Sequence, residues 1–278
     1  MADPRIMRVG IEVEGQIRVF EGLNIEAQGT KFASVTQNET VIKITNLDKD
    51  TRDFIGSEGT PFNRRSGRRR QRIYVDAGRE SYGYSRVFSG DITTVTQSQP
   101  PDITSEIRTL STQFLKGAVF TYSGMDQTMV SEIARAAASE LGLNLVFEAT
   151  DKEIQSFTYS GPATKILDKI QAFGGLDVYV DDDDLVVKNR NAPINRQEIT
   201  VSSRSRDLIG TPVFNDFGIT FTTLFRPDIE LGMAVNLVSE KYPATSGRYV
   251  IYKLNFHLAN RTMPFYYHVE ARRATSGE

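Results

Sequence analysis

The chain has 278 residues, a formal net charge of −2, and neither cysteine nor tryptophan. That length suits one large domain or two to three small ones with ample core, and the near-neutral charge excludes a bulk polyanion binder. Without cysteine there are no disulfides and no thiolate metal sites; no apolar run approaches the ~20 residues of a membrane helix, and the first residues lack the apolar core of a secretory signal.

The first flank alternates. Val9, Ile11 and Val13 point one way, with Arg8, Gly10, Glu12 and Glu14 opposite. Ile17 and Val19 resume the period after a turn at Glu14-Gly15, and Leu23, Ile25 and Ala27 continue it until Gly29 interrupts. Such alternation predicts antiparallel sheet with one wet face. Val41–Ile44 is another strand, and Leu47–Ile55 a short helix capped by Asn46 or Asp48. A long loop follows to Arg72, with strands at Ile73–Val75, Arg86–Thr96 and Ile103–Leu110, the last two separated by the breaker Pro100-Pro101. Many short strands with closely spaced turns read as a sandwich or small barrel.

The middle carries an internal echo. Phe120–Gly124 reads FTYSG and Phe157–Gly161 reads it again, each followed by a helical pattern, a glycine and a short apolar strand. In the first helix Met129, Ile133, Ala137 and Leu141 form the stripe, with Asp126 as expected N-cap and Gly142 as stop. In the second, Pro162 is expected at the first helical position, and Ile166, Leu167, Ile170 and Phe173 form the stripe. Asp181, Asp182, Asp183 and Asp184 make the turn of a closing hairpin. From Lys116 to Arg190 the module holds 7 Lys+Arg against 12 Asp+Glu, so it is locally acidic.

The second flank reads as a connector with an edge strand at Ile199–Val201, then strands at Gly218–Leu224, Met233–Val238, Arg248–Leu258 and Phe265–Arg272. The expected fold class is therefore α+β, mostly β. Residues 1–115 would form a first β-barrel, 116–190 an inserted α/β module with two β-α-β passes, and 191–278 a connector and a second β-barrel.

The sharpest local feature is the run Arg64, Arg65, Arg68, Arg69, Arg70 and Arg72. It reads either as a solvated loop or as a contact for an acidic protein surface or DNA phosphates, which arginine grips bidentately. The aspartates lack the spaced ligands and returning Glu of a calcium loop, so they read as an acidic turn, one that could face the arginine loop of a neighbouring copy. His257 and His268 fall on adjacent strands but no third ligand is near in sequence, so they read as structural rather than as a zinc site. No nucleotide or hydrolase motif occurs, and no cofactor is expected.

The strand Arg86–Ile92 running to Pro100-Pro101-Asp102, the stretch Leu208-Ile209-Gly210-Thr211-Pro212 leading through Phe217-Gly218-Ile219 to Leu224–Pro227, Leu231-Gly232 and Val238-Ser239, and Gly247–Val250 heading the penultimate strand together carry a resemblance. The layout resembles the baseplate hub proteins of contractile phage tails: the late-control hub family, the hub of T-even phages and the related spike of type VI secretion. The resemblance implies a structural, non-enzymatic homotrimer whose six barrels form a pseudo-sixfold ring joining the tail tube to the central spike. It implies tail tube protein, spike protein and other baseplate proteins as partners, location in the virion tail after assembly in the host cytoplasm, and a lumen for which passage of DNA stays open. Sheet edges at Arg8–Val19 and Phe265–Arg272 would be covered by neighbours. A tail-associated peptidoglycan-degrading enzyme and a barrel-type nucleic-acid or glycan binder are the alternatives.

Overall fold

A computed structural model describes residues 3–13, 16–58, 71–113, 118–124 and 127–274. The first flank comprises β1 (Arg5–Val13), β2 (Gln16–Glu21), β3 (Asn24–Phe32), β4 (Glu39–Thr45), α1 (Lys49–Glu58), β5 (Arg72–Arg79), β6 (Gly83–Gln97) and β7 (Thr104–Leu110). The module holds β8 (Val119–Ser123), β9 (Gln127–Met129), α2 (Val130–Leu141), β10 (Asn144–Glu148), β11 (Glu153–Gln155), β12 (Thr158–Pro162), α3 (Lys165–Ala172), β13 (Leu176–Asp181) and β14 (Asp184–Asn189). The second flank adds β15 (Ile199–Ser202), β16 (Leu208–Asn215), β17 (Gly218–Leu224), β18 (Ala234–Val238), β19 (Gly247–Ala259) and β20 (Phe265–Arg273).

The two flanks are not separate closed barrels. Thirteen strands form one sheet in the order β16-β17-β20-β19-β3-β4-β7-β6-β5-β1-β2, with β18 and β15 continuing from the first half of β19. Among the described residues no ladder joins β2 to β3, although the two-residue link Gly22-Leu23 brings the end of β2 back to the start of β3. The joint is the antiparallel pair β3·β19, in register from Lys253↔Phe32 to Ala259↔Glu26. One expected edge is met in part and the other is not: β2, which overlaps Arg8–Val19, terminates the main path while β1 lies between β2 and β5, and Phe265–Arg273 lies inside the sheet between β17 and β19, leaving β16 as the other terminal strand.

On either side of that joint the strands repeat one plan. An inner hairpin, β3–β4 or β19–β20, bonds through its second strand to the second strand of an outer hairpin, β6–β7 or β16–β17. All these pairs are antiparallel, as is β3·β19, so a twofold axis normal to the sheet at the joint exchanges the halves in strand order and direction. The inner hairpin comes first in the chain in one half and last in the other, so the halves are circular permutations of one design.

Alternation makes one face core and the other wet. On β3 the residues Ile25, Ala27, Gly29 and Lys31 are buried while Glu26, Gln28 and Thr30 are not. The buried faces of both halves merge into a single apolar cluster, in which each fully buried Val, Ile or Phe contributes about 1.5–3 kcal/mol. Gly29, rather than interrupting the strand, sits at its centre opposite Phe256; a Cβ there would stand 2.5 Å from Cζ of the Phe256 ring, so only glycine lets that ring cross the joint.

In the module the two FTYSG copies pair with each other: β8 and β12 are antiparallel with Tyr122↔Tyr159 and Thr121↔Ser160 in register. Helices α2 and α3 pack on each other, α2 also on β10 and α3 on β13, and bury Ile133, Ala137, Ile166 and Ile170 in a second core. Gly142 ends α2 at φ 63° as expected. Two caps differ from expectation. Helix α2 starts at Val130 with Met129 at its N-cap, and the Ser131 amide donates to Asp151 Oδ1 at 3.0 Å; the expected cap, Asp126, lies outside the described residues. Pro162 ends β12, and α3 starts at Lys165. Asp48 caps α1 as read, accepting from the Thr51 amide at 2.8 Å and its hydroxyl at 2.6 Å.

Candidate assembly surfaces and the hairpin that braces them

The acidic turn is a docking element. Asp182, at φ 53°, takes the left-handed position of the β13–β14 hairpin, and the hairpin drives into the sheet. Lys31 of β3, at 7% side-chain exposure, forms ion pairs with Asp181 and, at 2.9 Å, with Asp182. Its ammonium also donates to the Val87 carbonyl at 3.1 Å. The other Asp182 oxygen accepts from the Ser89 amide at 2.7 Å. Asp183 pairs with Arg72, which donates to Ser89 Oγ at 3.0 Å. Asp184 stays within the module, accepting from Asn144 Nδ2 at 3.1 Å.

The electrostatics follow from burial. Desolvation works against the Lys31 charge, but the two carboxylates outweigh it and hold the amine above its ordinary value. Burial pushes the Asp182 carboxyl up to about 6, with the pull of Lys31 against it and the charge of Asp181 adding to it. One buried ammonium and two partly buried carboxylates form an ion-paired triad.

The same hairpin reaches both halves of the sheet. Asn38 Nδ2, beside β4, donates to the Val180 carbonyl at 2.9 Å. Tyr179, 1% exposed, donates through its hydroxyl to the Leu231 carbonyl of the second flank at 3.2 Å. Lys188, 2% exposed, fastens the connector by donating to the Ala192 carbonyl at 2.8 Å and pairing with Asp177 at 2.9 Å.

The wet face is polar at its centre. Gln28, Thr30, Glu39, Arg108, Asn255 and His268 are among the side chains around a concavity of about 820 Å³ over the joint. His257 Nε2 lies 2.9 Å from Glu26 Oε1, and His268 Nδ1 lies 2.7 Å from Thr222 Oγ1, so each imidazole has its own partner. Among the described residues no group of three or more His, Asp or Glu side chains is placed to hold a metal ion. No helix among them is long and apolar enough to cross a membrane. Toward both terminal strands the wet face turns apolar: Ile17 and Val19 on β2 are 57% and 52% exposed, and Ile209 and Val213 on β16 are 38% and 62% exposed.

Of the arginine run, Arg72 alone is described, on β5; Arg64, Arg65, Arg68, Arg69 and Arg70 lie outside the described residues. Arg72 also lies 5.1 Å from the centre of the Tyr74 ring, beside an exposed ladder in which Arg8 and Arg86 share Asp76 and cover Tyr84 and Tyr74. Sequence reasoning missed Lys31. Its signal was available, because a lysine in the buried phase of a strand calls for a buried counter-charge.

The fold has known counterparts. It is similar to the 43 kDa tail protein of prophage MuSo2 from Shewanella oneidensis, at 11% identity and TM-score 0.64, covering 96% of this chain and 98% of that one. It is similar to a tail protein from Neisseria meningitidis MC58, at 11% identity and TM-score 0.63 with 96% of each chain covered. A third counterpart is the E. coli c3393 protein, described as a component of the type VI secretion system structurally similar to T4 tail proteins gp27 and gp5; it matches at 9% identity and TM-score 0.61, over 95% of this chain and 77% of that one. Comparison with curated proteins gives no significant sequence match. The family described as Baseplate hub gp41 matches residues 6–271, nearly the whole of the permuted sheet and its module, and the chain belongs to that baseplate hub family.

Proposed function

We propose that this chain is a structural, non-enzymatic hub that works as a homotrimer. Three copies would close six sheet halves into a pseudo-sixfold ring between a sixfold tail tube and a threefold spike. The observation that carries this reading is the permuted repeat about β3·β19. Both halves share one strand plan and keep their wet faces on one side, so each chain offers two wall segments and three chains offer six. The polar wet face suits a hydrated lumen, through which DNA would pass. Partners on this reading are the tail tube protein, the spike protein and other baseplate proteins. Arg64, Arg65, Arg68, Arg69 and Arg70 would meet an acidic surface on one of them, several weak contacts acting together in the ring.

The test is the mass of the full chain by light scattering, alone and with the tube and spike proteins of its own tail, followed by electron microscopy of the species formed. Three chains per particle, with six lobes around a central opening, is the expected result. A persistent monomer that clears cell wall in a zymogram would replace this reading with the degrading enzyme.

A further inference from the structure

A second concavity, of about 130 Å³, opens where three parts of the chain meet. The turn after β3 brings Ser34, the module and its connector bring Asp177, Lys188 and Asn191, and the β19–β20 pair brings Tyr252 and Arg272. The volume equals about four waters at their ~30 Å³ share of the liquid. That is too little for a segment of another protein and enough for one small ion.

The charge around it is unbalanced. Lys188, almost wholly buried, donates to Asp177 Oδ2 at 2.9 Å and to the Ala192 carbonyl at 2.8 Å. One of its three ammonium hydrogens is left for the cavity it lines. Asp177 is already engaged: the same oxygen accepts from the Asn191 amide at 3.2 Å, and the other lies 4.0 Å from Arg190. Arg272 forms no ion pair among the described residues. Its guanidinium lies 4.7 Å from the centre of the Tyr252 ring and donates to Asn191 Oδ1 at a long 3.4 Å. Glu270, bonded to the Tyr252 hydroxyl at 2.8 Å, is neutralised by Lys253 at 2.7 Å. Burial holds the Lys188 amine below its ordinary value; Asp177 pulls the other way, and the push of Arg272 exceeds the pull of Glu148. Two cations therefore face one partly buried cavity with a single shared carboxylate between them, and buried charge calls for a partner.

We propose that this junction binds one small tetrahedral oxyanion of the phosphate or sulfate class, held by Lys188, Arg272 and the Ser34 hydroxyl. Ser34 Oγ accepts from the Thr36 amide at 3.4 Å and keeps its hydrogen to donate. Charge-assisted bonds from an ammonium and a guanidinium are the strong means of gripping such an ion. The donors reach the cavity from three separate segments rather than in one plane, which suits a tetrahedral ion better than a planar carboxylate. The bound ion would tie the end of β3, the module and β20 together, and this role is independent of how copies of the chain assemble.

The test is melting of the full chain in sodium phosphate, sulfate and acetate against sodium chloride of equal ionic strength, with calorimetric titration of inorganic phosphate. One site per chain is expected. At about 100 times its Kd, phosphate should raise the melting temperature by roughly 5 °C. Arg272→Gln removes the charge and keeps a hydrogen-bonding amide, and should weaken phosphate binding at least about tenfold while the chain still folds in chloride. Should that variant fail to fold, Ser34→Ala reads the same site and should weaken binding about threefold. A shift that chloride matches at equal ionic strength is general screening and overturns the site. A phosphate effect undiminished in the variant marks an adventitious ion only and overturns it too. A response to acetate as large as that to phosphate overturns the assignment of a tetrahedral ion.

Discussion

Replacing Lys31 by methionine tests whether the buried triad braces the module. Methionine keeps the length of the side chain and removes the ammonium, leaving Asp181 and Asp182 facing each other with 18% and 22% of their side-chain surface exposed. Removing one partner from a buried ion pair costs about 3–5 kcal/mol. Residual solvent at both carboxylates favours the lower end, about 3 kcal/mol, or a fall in melting temperature of roughly 6–12 °C for a chain of this size. The pH dependence gives the reasoning a sign. In the wild type the folded Asp182 carboxyl stands at about 6, above its ordinary ~3.9. The folded state therefore binds that proton more tightly, and stability falls as pH rises from about 4 to about 6. Lys31 is raised, so its contribution is complete below its ordinary ~10.4 and constant across this window. Without Lys31 the carboxyl moves further up, and acidification restores the variant. The deficit measured by urea unfolding should be about 3 kcal/mol at pH 7.5 and less than half that at pH 5. A loss below about 1 kcal/mol, or one equal at both pH values, would refute the account of the triad.

Gly29→Ala would press a methyl group onto Phe256, Thr40 and the Glu39 carbonyl; chemical denaturation should show a loss of about 1–3 kcal/mol or more, and Phe256→Leu in the same chain should recover part of it. Gly232→Ala combines a φ of 77° with a methyl directed at the Tyr179 hydroxyl, and should cost more than the ~1 kcal/mol expected of Tyr179→Phe. The double variant should be less damaged than the sum of the two, a non-additivity that a thermodynamic cycle reads directly. Asp151→Ala removes the acceptor at the start of α2 and should lower stability by about 1 kcal/mol, with hydrogen exchange at Ser131 accelerated more than in β19.

Strands whose sequence alternates were legible within two or three residues of their ends: β20 carries apolar residues at every buried second position, β4 and β17 do so but for Thr40 and Thr223, and β19 does so on either side of its register shift. Strand β16 was not, because Gly210 and Pro212 are breakers in isolation, and the structure absorbs them with a register shift that no local pattern encodes. The pairing β3·β19 joins residues more than two hundred positions apart; alternation fixes which face of each strand is buried and leaves its neighbour open, so two separate barrels were as consistent with the pattern as one sheet. The acidic turn shows the same division. Four successive aspartates ending a strand announce a hairpin, but their principal partner, Lys31, lies 151 residues away from Asp182. The arginine run, prominent in sequence, is represented in the described structure by Arg72, whose charge is met by Asp183 of the same chain.

The module sits across the junction of the two halves. The halves meet at the β3·β19 ladder and share one apolar core, and on the proposed ring reading the angle between them sets the shape of the wall. The β13–β14 hairpin bridges the halves with unlike contacts: a charged triad and the Asn38 bond on the β3 side, and the Tyr179 hydroxyl against Leu231 on the other. Hydrogen bonds and ion pairs at buried positions tolerate little displacement, because a lengthened bond leaves its partner unsatisfied at about 1–3 kcal/mol. An apolar contact of equal area would slide at far lower cost. Buried polar groups at this joint therefore hold one angle rather than maximise stability, which is what a chain must do if three copies are to meet edge to edge and close.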